Sequence, residues 1–167
     1  LGPIGILSGL LSKKLGAHEI YGIDKDKFRI SFAKKNGFKD CFSDFSIFPK
    51  NEINVLIECS GSSFLLNESL NLIDKESVIL FLANHENNIT LSPKTISKCL
   101  RGEYNMFYSW NSILGESSRT NDWKTCIDYL DKKEVNISEL ITQKIPLLSI
   151  SDTMLKMHEG KLDYIKV

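Results

Sequence analysis

Apolar positions along the chain follow two periods that alternate in order. Segments with apolar residues three and four positions apart, typical of amphipathic helices, cover about residues 4–15, 25–36, 62–73 and 92–100. Short and mostly apolar runs, typical of buried strands, lie at residues 20–23, 40–42, 53–57, 78–82 and 104–108. Strands that alternate with helices form βαβ units, so the pattern predicts an α/β fold with a mainly parallel sheet.

The pattern changes after Trp110. A polar, turn-rich stretch leads to a helical face over residues 123–130, extended segments at 140–142 and 145–147, a short helix over 150–158 and a strand at 164–167. This shift predicts a boundary near residue 112, with one domain over residues 1–112 and a second segment over residues 113–167.

Composition excludes several classes of protein. The 167 residues are 42% hydrophobic and 25% charged, which supplies enough apolar material for a packed core. Lys+Arg and Asp+Glu both number 21, and this zero net charge argues against a nucleic-acid partner. The sequence has no apolar run long enough to span a membrane and no signal-peptide pattern. We therefore expect a cytoplasmic protein without a membrane partner.

Cysteines and histidines are scattered, and no pair has the spacing of a metal site. We expect reduced and mostly buried thiols that are neither metal ligands nor nucleophiles. The four thiols are Cys41, Cys59, Cys99 and Cys126.

The first residues carry the strongest chemical signal. Gly2-Pro3-Ile4-Gly5 matches the last four positions of the dinucleotide-binding turn G-x-G-x-x-G, and a predicted helix and strand follow it. Asp24 lies 19 residues after Gly5, close to the spacing of about 20 for an acid that binds ribose hydroxyls. Glycine at position 2 lets a pyrophosphate approach the backbone, and the helix N-terminus offers N–H donors and a positive dipole. The order of these features predicts a nucleotide-binding site.

Asp24 also bears on the choice of cofactor. A carboxylate at this position repels the 2′-phosphate of NADP, which favours NAD. Lys25, Lys27 and Arg29 lie nearby in sequence and partly offset that repulsion. The alternative is an ordinary strand–helix turn with a surface aspartate in another α/β fold.

Further motifs point to a known family. Gly16-Ala17 follows the first helix, Ile57-Glu58-Cys59-Ser60-Gly61 follows the third strand, and Leu100-Arg101-Gly102-Glu103 leads to Ser109-Trp110-Asn111-Ser112. Together with the glycine turn and Asp24, this set resembles the zinc-dependent medium-chain alcohol and polyol dehydrogenases over nearly the whole chain. The last two segments resemble the sugar-alcohol branch, which includes the galactitol-1-phosphate and sorbitol dehydrogenases.

The resemblance implies a Rossmann-like, doubly wound parallel sheet that lacks its first strand, followed by a C-terminal segment of the catalytic domain. It implies NAD as the cofactor, a small-molecule polyol or sugar-alcohol phosphate as the substrate, and a homo-oligomer for the intact parent. The cofactor-binding residues that it implies are Gly2, Pro3, Ile4, Gly5, Asp24, Arg29, Ser60, Gly61, Leu80, Leu82 and Phe107.

The catalytic zinc of this family is held by an N-terminal domain. The resemblance therefore implies zinc in the intact parent, but neither a zinc ligand nor a catalytic residue in these 167 residues. A zinc-bound alcohol loses its proton far more readily than a free one, so the chain by itself is expected to be inactive.

Two aromatic residues depart from the family pattern. Phe81 and Tyr108 stand where the family usually has glycine beside the nicotinamide, so their rings either pack into the protein or fill the cofactor pocket. They support a second hypothesis, in which the chain is a non-catalytic or relic nucleotide-binding module. A methyltransferase also uses a glycine-rich turn and a later acid, but its Asn-Pro-Pro-Tyr type of motif is absent from the sequence.

Overall fold

A computed structural model of the protein describes residues 1–49, 52–85, 88–110 and 121–167. Within these residues, helices and strands alternate in the predicted order. The strands are β1 (Tyr21–Ile23), β2 (Asp40–Phe42), β3 (Ile53–Glu58), β4 (Ile73–Phe81) and β5 (Asn105–Tyr108). The α-helices are α1 (Pro3–Lys14), α2 (Lys27–Lys35), α3 (Ser63–Leu70), α4 (Pro93–Gly102), α5 (Asp122–Asp131) and α6 (Ile150–His158). None of the helices in the described part of the chain is long and apolar enough to cross a membrane.

The strands form two sheets. β1 pairs with β2, and β3, β4 and β5 form a three-stranded sheet in that order. Both pairings of the larger sheet are parallel, with Leu80 of β4 opposite Ile57 of β3 and Phe107 of β5. This confirms the predicted α/β fold with parallel strands.

The chain divides into two compact units. The first consists of Leu1–Cys41 and Leu114–Val167, and the second of Phe42–Ile113. The predicted boundary near residue 112 lies outside the described residues. The assignment of residues 1–112 and 113–167 to separate domains therefore stays a prediction.

Apolar side chains of α3 and β4 form the core of the second unit. Leu66 and Leu70 of α3 pack against Ile73 and Ile79 of β4, and each of the four is at most 2% exposed. Cys99 of α4 packs against the same cluster from a partly buried position. Removing these side chains from water supplies the main force that holds the two helices on the larger sheet.

The first unit has two smaller clusters. Ile6 of α1 is fully buried with Leu140 and Ile165, which come from the C-terminal part of the chain. A second cluster contains Ala33 of α2, together with Phe38 and Cys41. The C-terminal part of the first unit thus contributes directly to the packing of α1, because Leu140 and Ile165 bury its apolar face.

The helix predicted over residues 62–73 is shorter in the structure. It ends at Leu70, where the side chain of Asn71 donates to the Asn67 carbonyl at 2.9 Å. Ile73 already belongs to β4, where it lies opposite Ile53. Ile73 follows Leu70 at helical spacing, so the apolar pattern alone does not separate the end of the helix from the start of the strand.

The predicted strand over residues 164–167 is wrong. The structure has only an isolated parallel bridge there, between Ile141 and Lys166. Thr142 and Gln143 both donate their N–H groups to the Lys166 carbonyl, at 3.0 and 3.3 Å. The alternating apolar pattern arises because Ile165 is buried in a cluster, and not because the segment pairs along its length.

Thiol labelling should separate Cys41 from Cys126. Burial raises the pKa of Cys41 to about 11, and its residue is only 4% exposed, so little reactive thiolate is present at pH 8. Cys126 is exposed on α5. We expect a maleimide or aromatic disulfide reagent to modify Cys126 at least tenfold faster than Cys41 in the native protein, with equal rates in urea. Equal native rates, read by peptide mass spectrometry, would contradict the described burial.

Candidate functional site

Helix α1 begins at Pro3, with Gly2 as its N-cap. No side chain caps this end, and the first helical hydrogen bond is donated by Ile6 to the Gly2 carbonyl at 3.0 Å. The N–H groups of Ile4 and Gly5 come before that bond and have no partner within the helix. A Cβ added at Gly2 would meet no heavy atom within 4 Å, so the backbone is open at this point. This helix end can accept an anion.

Asp24 follows β1 and lies close to the start of α1. Its Oδ2 accepts from the amino group of Leu1 at 2.8 Å, and its Oδ1 accepts from the Asp26 N–H at 2.9 Å. The Arg29 Nη1 lies 3.8 Å from Asp24 Oδ2. Burial raises the pKa of Asp24, but the two hydrogen bonds and the Arg29 charge outweigh burial and hold that pKa below its usual value. The carboxylate is therefore ionised at neutral pH.

Arg29 is positioned from three sides. Asp26 caps α2 by accepting from the N–H groups of Phe28 and Arg29, and its Oδ2 lies 3.6 Å from Arg29 Nε. This approach does not have hydrogen-bond geometry, since Nε is buried without a hydrogen-bond partner. The guanidinium carbon lies 5.8 Å from the centre of the Tyr164 ring, within the range of a cation–π contact. The basic group therefore stays beside Asp24.

In the second unit, the turn after β3 is organised by Glu58. This residue is 5% exposed, and its Oε1 accepts from the Ser60 N–H at 2.8 Å, the Ser60 hydroxyl at 2.5 Å and the Gly61 N–H at 3.1 Å. Ser62 then caps α3 by accepting from the Leu65 N–H. One buried carboxylate thus satisfies the donors of the Ser60–Gly61 turn.

Gly61 is in close contact with the segment that follows β4. Its φ of +68° is in the left-handed region, and a Cβ at this position would lie 2.2 Å from the Asn84 carbonyl oxygen. The Leu82 N–H donates to the Glu58 carbonyl at 2.9 Å. The ends of β3 and β4 are therefore joined both by a hydrogen bond and by backbone packing that only glycine permits.

His85 extends this arrangement. Its Nε2 lies 3.5 Å from Glu58 Oε2, and its side chain is 11% exposed. Neither ring nitrogen has a hydrogen-bond partner among the described residues, although both atoms are buried. The distance places the imidazole beside the carboxylate, while the geometry falls short of a hydrogen bond.

Leu80, Leu82 and Phe107 are among the predicted cofactor-binding residues. Leu80 lies in the central strand between Ile57 and Phe107, and the side chain of Phe107 is 55% exposed. The N–H of Leu82 is engaged by Glu58, so a ligand at this position would have to use the Leu82 carbonyl.

The rings of Phe81 and Tyr108 stack on each other. Their centroids are 4.9 Å apart and their planes differ by 12°, since the two residues lie opposite each other on β4 and β5. Phe81 packs against the core of the second unit, whereas Tyr108 is 76% exposed. Of the two arrangements considered for Phe81, the structure shows packing into the protein.

The candidate residues form one group in each unit. The first unit brings together Gly2, Pro3, Ile4, Gly5, Asp24 and Arg29, and the second brings Ser60 and Gly61 next to Leu82. Glu58 and His85 are not among the site residues predicted from the sequence. Glu58 lies within the Ile57–Gly61 motif, so the motif could have identified it as a functional residue. His85 belongs to no motif, so the sequence gives no signal for it.

The family resemblance implies zinc, and the described residues do not fit it. Among them there is no group of three or more His, Cys, Asp or Glu side chains that could hold a metal ion. We therefore derive no chemical step through a metal at these residues.

The parallel sheet and the glycine-containing turn before α1, with Asp24 beside it, define a Rossmann-type α/β fold. The chain belongs to the zinc-binding dehydrogenase family, whose sequence model matches residues 3–132. This confirms the family indicated by the sequence motifs.

Similarity to known proteins supports the assignment of the chain to this family. The chain is 30% identical over 178 residues to an alcohol dehydrogenase class-3 of Drosophila melanogaster, covering 96% of this chain and 45% of the relative. It is 31% identical over 170 residues to a D-arabitol-phosphate dehydrogenase of Enterococcus avium, covering 95% and 46%. The crystal structure of galactitol-1-phosphate dehydrogenase from Escherichia coli superimposes with a TM-score of 0.82 at 18% identity, covering 98% of this chain and 49% of that one. The chain thus spans about half the length of these relatives.

Proposed function

We propose that this chain is the cofactor-binding part of an oxidoreductase that transfers a hydride from a polyol or sugar-alcohol phosphate to NAD. The observation that carries the proposal is the uncapped N-terminus of α1 beside Asp24 and Arg29, in a member of the zinc-binding dehydrogenase family. Residues 1–112 would form the NAD-binding domain, and residues 113–167 a segment of the catalytic domain.

The N-terminus of α1 would bind the pyrophosphate. The Ile4 and Gly5 N–H groups point out of the first turn, while Pro3 has no N–H to offer. The open backbone at Gly2 lets a phosphate oxygen approach closely, and the dipole of a 12-residue helix favours its negative charge. In the second unit, Ser60, Gly61, Leu80, Leu82 and Phe107 would provide the remaining cofactor contacts.

Asp24 would bind the adenosine ribose. An ionised carboxylate accepts hydrogen bonds from both ribose hydroxyls, and it repels a 2′-phosphate. Arg29, 3.8 Å from the carboxylate, weakens this repulsion without removing it. When bound, NAD supplies the hydride acceptor, and the chain's own residues hold and orient it.

The similarity to a D-arabitol-phosphate dehydrogenase supports a phosphorylated sugar alcohol as the substrate. The same likeness supports a small-molecule partner. We further propose a homo-oligomer as the state of the intact parent. A second function, nucleotide binding without hydride transfer, is favoured by the exposed ring of Tyr108, which stands where the family usually has glycine. NADH formation by the full-length protein from sugar-alcohol phosphates separates the two.

The role of Asp24 is testable by cofactor titration. Asp24→Ala should weaken NADH binding by about 10- to 100-fold, because hydrogen bonds to a charged group contribute about 1.5–3 kcal/mol. NADPH binding should change less, so that discrimination between the two cofactors relaxes. Fluorescence titration of both cofactors measures the ratio.

Asp152→Ala is the matched control, since it removes an exposed carboxylate on α6 that pairs only with Lys156 among the described residues. It should leave both affinities unchanged. An NADH/NADPH affinity ratio in Asp24→Ala equal to that of the native protein would show that Asp24 does not contact the ribose.

A further inference from the structure

Glu58 is a buried carboxylate whose two oxygens are unequally hydrogen-bonded. It is 5% exposed, and its Oε1 already accepts three hydrogen bonds from the Ser60–Gly61 turn. Its Oε2 accepts one longer hydrogen bond, from the Gly61 N–H at 3.3 Å, and the His85 Nε2 lies 3.5 Å from the same oxygen. Each carboxylate oxygen can accept more than one hydrogen bond, and the imidazole of His85 is placed to give Oε2 a second donor.

The ring nitrogens of His85 also lack hydrogen-bond partners among the described residues. Both nitrogens are buried. A buried polar group without a partner is destabilising, so the buried position of this imidazole requires a physical explanation. A shift of a few tenths of an ångström would bring Nε2 into donating range of Glu58 Oε2.

The backbone transmits such a shift to the turn. Leu82 donates to the Glu58 carbonyl, and Gly61 has no room for even a Cβ against Asn84, the residue next to His85. A change at His85 therefore moves the segment against which the turn packs.

We propose that His85 is a positioning residue for the nucleotide site, and that its Nε2–H donates to Glu58 Oε2 and fixes the carboxylate that shapes the Ser60–Gly61 turn. The inference rests on the proposed function, because the turn is one wall of the proposed cofactor site. His85 acts through Glu58 and needs no contact with the cofactor.

A set of variants in the full-length protein tests the inference by NADH titration. His85→Leu removes the donor and should weaken NADH binding about tenfold, the lower end of the effect of one charge-assisted hydrogen bond. His85→Gln keeps an N–H at the reach of Nε2 and should recover binding to within about threefold of the native protein. Exposed His158 on α6 provides the control, and His158→Gln should bind as the native protein does.

Coupling to Glu58 distinguishes positioning from general packing. Glu58→Gln should weaken binding about as much as His85→Leu does, and the double variant should be no weaker than either single one. Circular dichroism and the urea midpoint of each variant show that binding is compared between folded proteins. If Glu58→Gln does not fold, the ¹⁵N chemical shift of His85 Nε2 in the native protein tests the proposed hydrogen bond. A protonated Nε2 supports donation to Glu58 Oε2, and an unprotonated Nε2 overturns it.

If His85→Leu binds NADH as tightly as the native protein does, or if the losses of affinity add in the double variant, this inference is overturned and the proposed function remains intact. Absence of NADH binding by the native full-length protein would overturn both.

Discussion

Gly61→Ala is expected to destabilise the protein by about 2–5 kcal/mol. Two costs add at this position. The φ of +68° strains any residue with a Cβ, by roughly 1–2 kcal/mol. The new methyl group would also lie 2.2 Å from the Asn84 carbonyl oxygen, so the backbone after β4 must move, and overpacking of this kind costs about 1–3 kcal/mol.

Gly160 offers a control that separates these two costs. Its φ of +67° matches that of Gly61, but an added Cβ would meet no heavy atom within 4 Å. Gly160→Ala should therefore show the backbone strain alone, about 1–2 kcal/mol. Urea unfolding followed by circular dichroism measures both losses. Equal losses in the two variants would mean that the Gly61–Asn84 contact does not constrain the turn.

The alternation of helices and strands in the second unit was predictable because α3 and β4 each bury an apolar face. Leu66 and Leu70 repeat at helical spacing. The apolar run at Val78–Leu82 is typical of a buried strand, and its Ile79 is fully buried in β4. The early part of β4 was not predictable in this way. Polar residues follow Ile73, and Glu76 has a positive φ of 58°, so the strand carries no regular alternation there.

The candidate site was predictable where local backbone geometry produces the chemistry. The glycine turn and the spacing to Asp24 depend on one strand–helix connection, which the sequence determines locally. The pairing of Glu58 with His85 depends on two segments 27 residues apart that meet through parallel strand register. A single histidine in a polar stretch carries no periodic signal, so only the folded chain identifies it.

The Phe81–Tyr108 pair shows how tertiary packing decides what a sequence departure means. A bulky residue in place of glycine suggested either packing or a filled pocket. Phe81 lies two residues after Ile79 on the same face of β4, which directs it to the core with the α3 side chains. Tyr108 faces Phe81 across the register and therefore stacks on it, leaving its other face in solvent.

Ile79→Ala is expected to destabilise the second unit by about 2–5 kcal/mol, the range for removing a fully buried branched side chain. Ile79 is 0% exposed and lies at the centre of the three-stranded sheet, where Leu66, Leu70 and Ile73 surround it. The loss of three carbons leaves an apolar cavity, which water does not fill favourably. The side chains around the cavity belong to two different elements, α3 and β4, so they can move into it only in part. The free energy of unfolding in urea measures the loss.

Val55→Ala is the matched control, because it also replaces a β-branched residue by alanine in the same sheet, but at a position that is 51% exposed. It should cost about 1 kcal/mol or less, since exposed strand substitutions change little more than β-propensity. Cys99 gives a local readout, because it packs against the Ile79 cluster, whereas Cys41 belongs to a cluster in the first unit. Ile79→Ala should accelerate labelling of Cys99 more than that of Cys41. A loss equal to that of Val55→Ala, or equal acceleration at both thiols, would show that this cluster is not the core of the second unit.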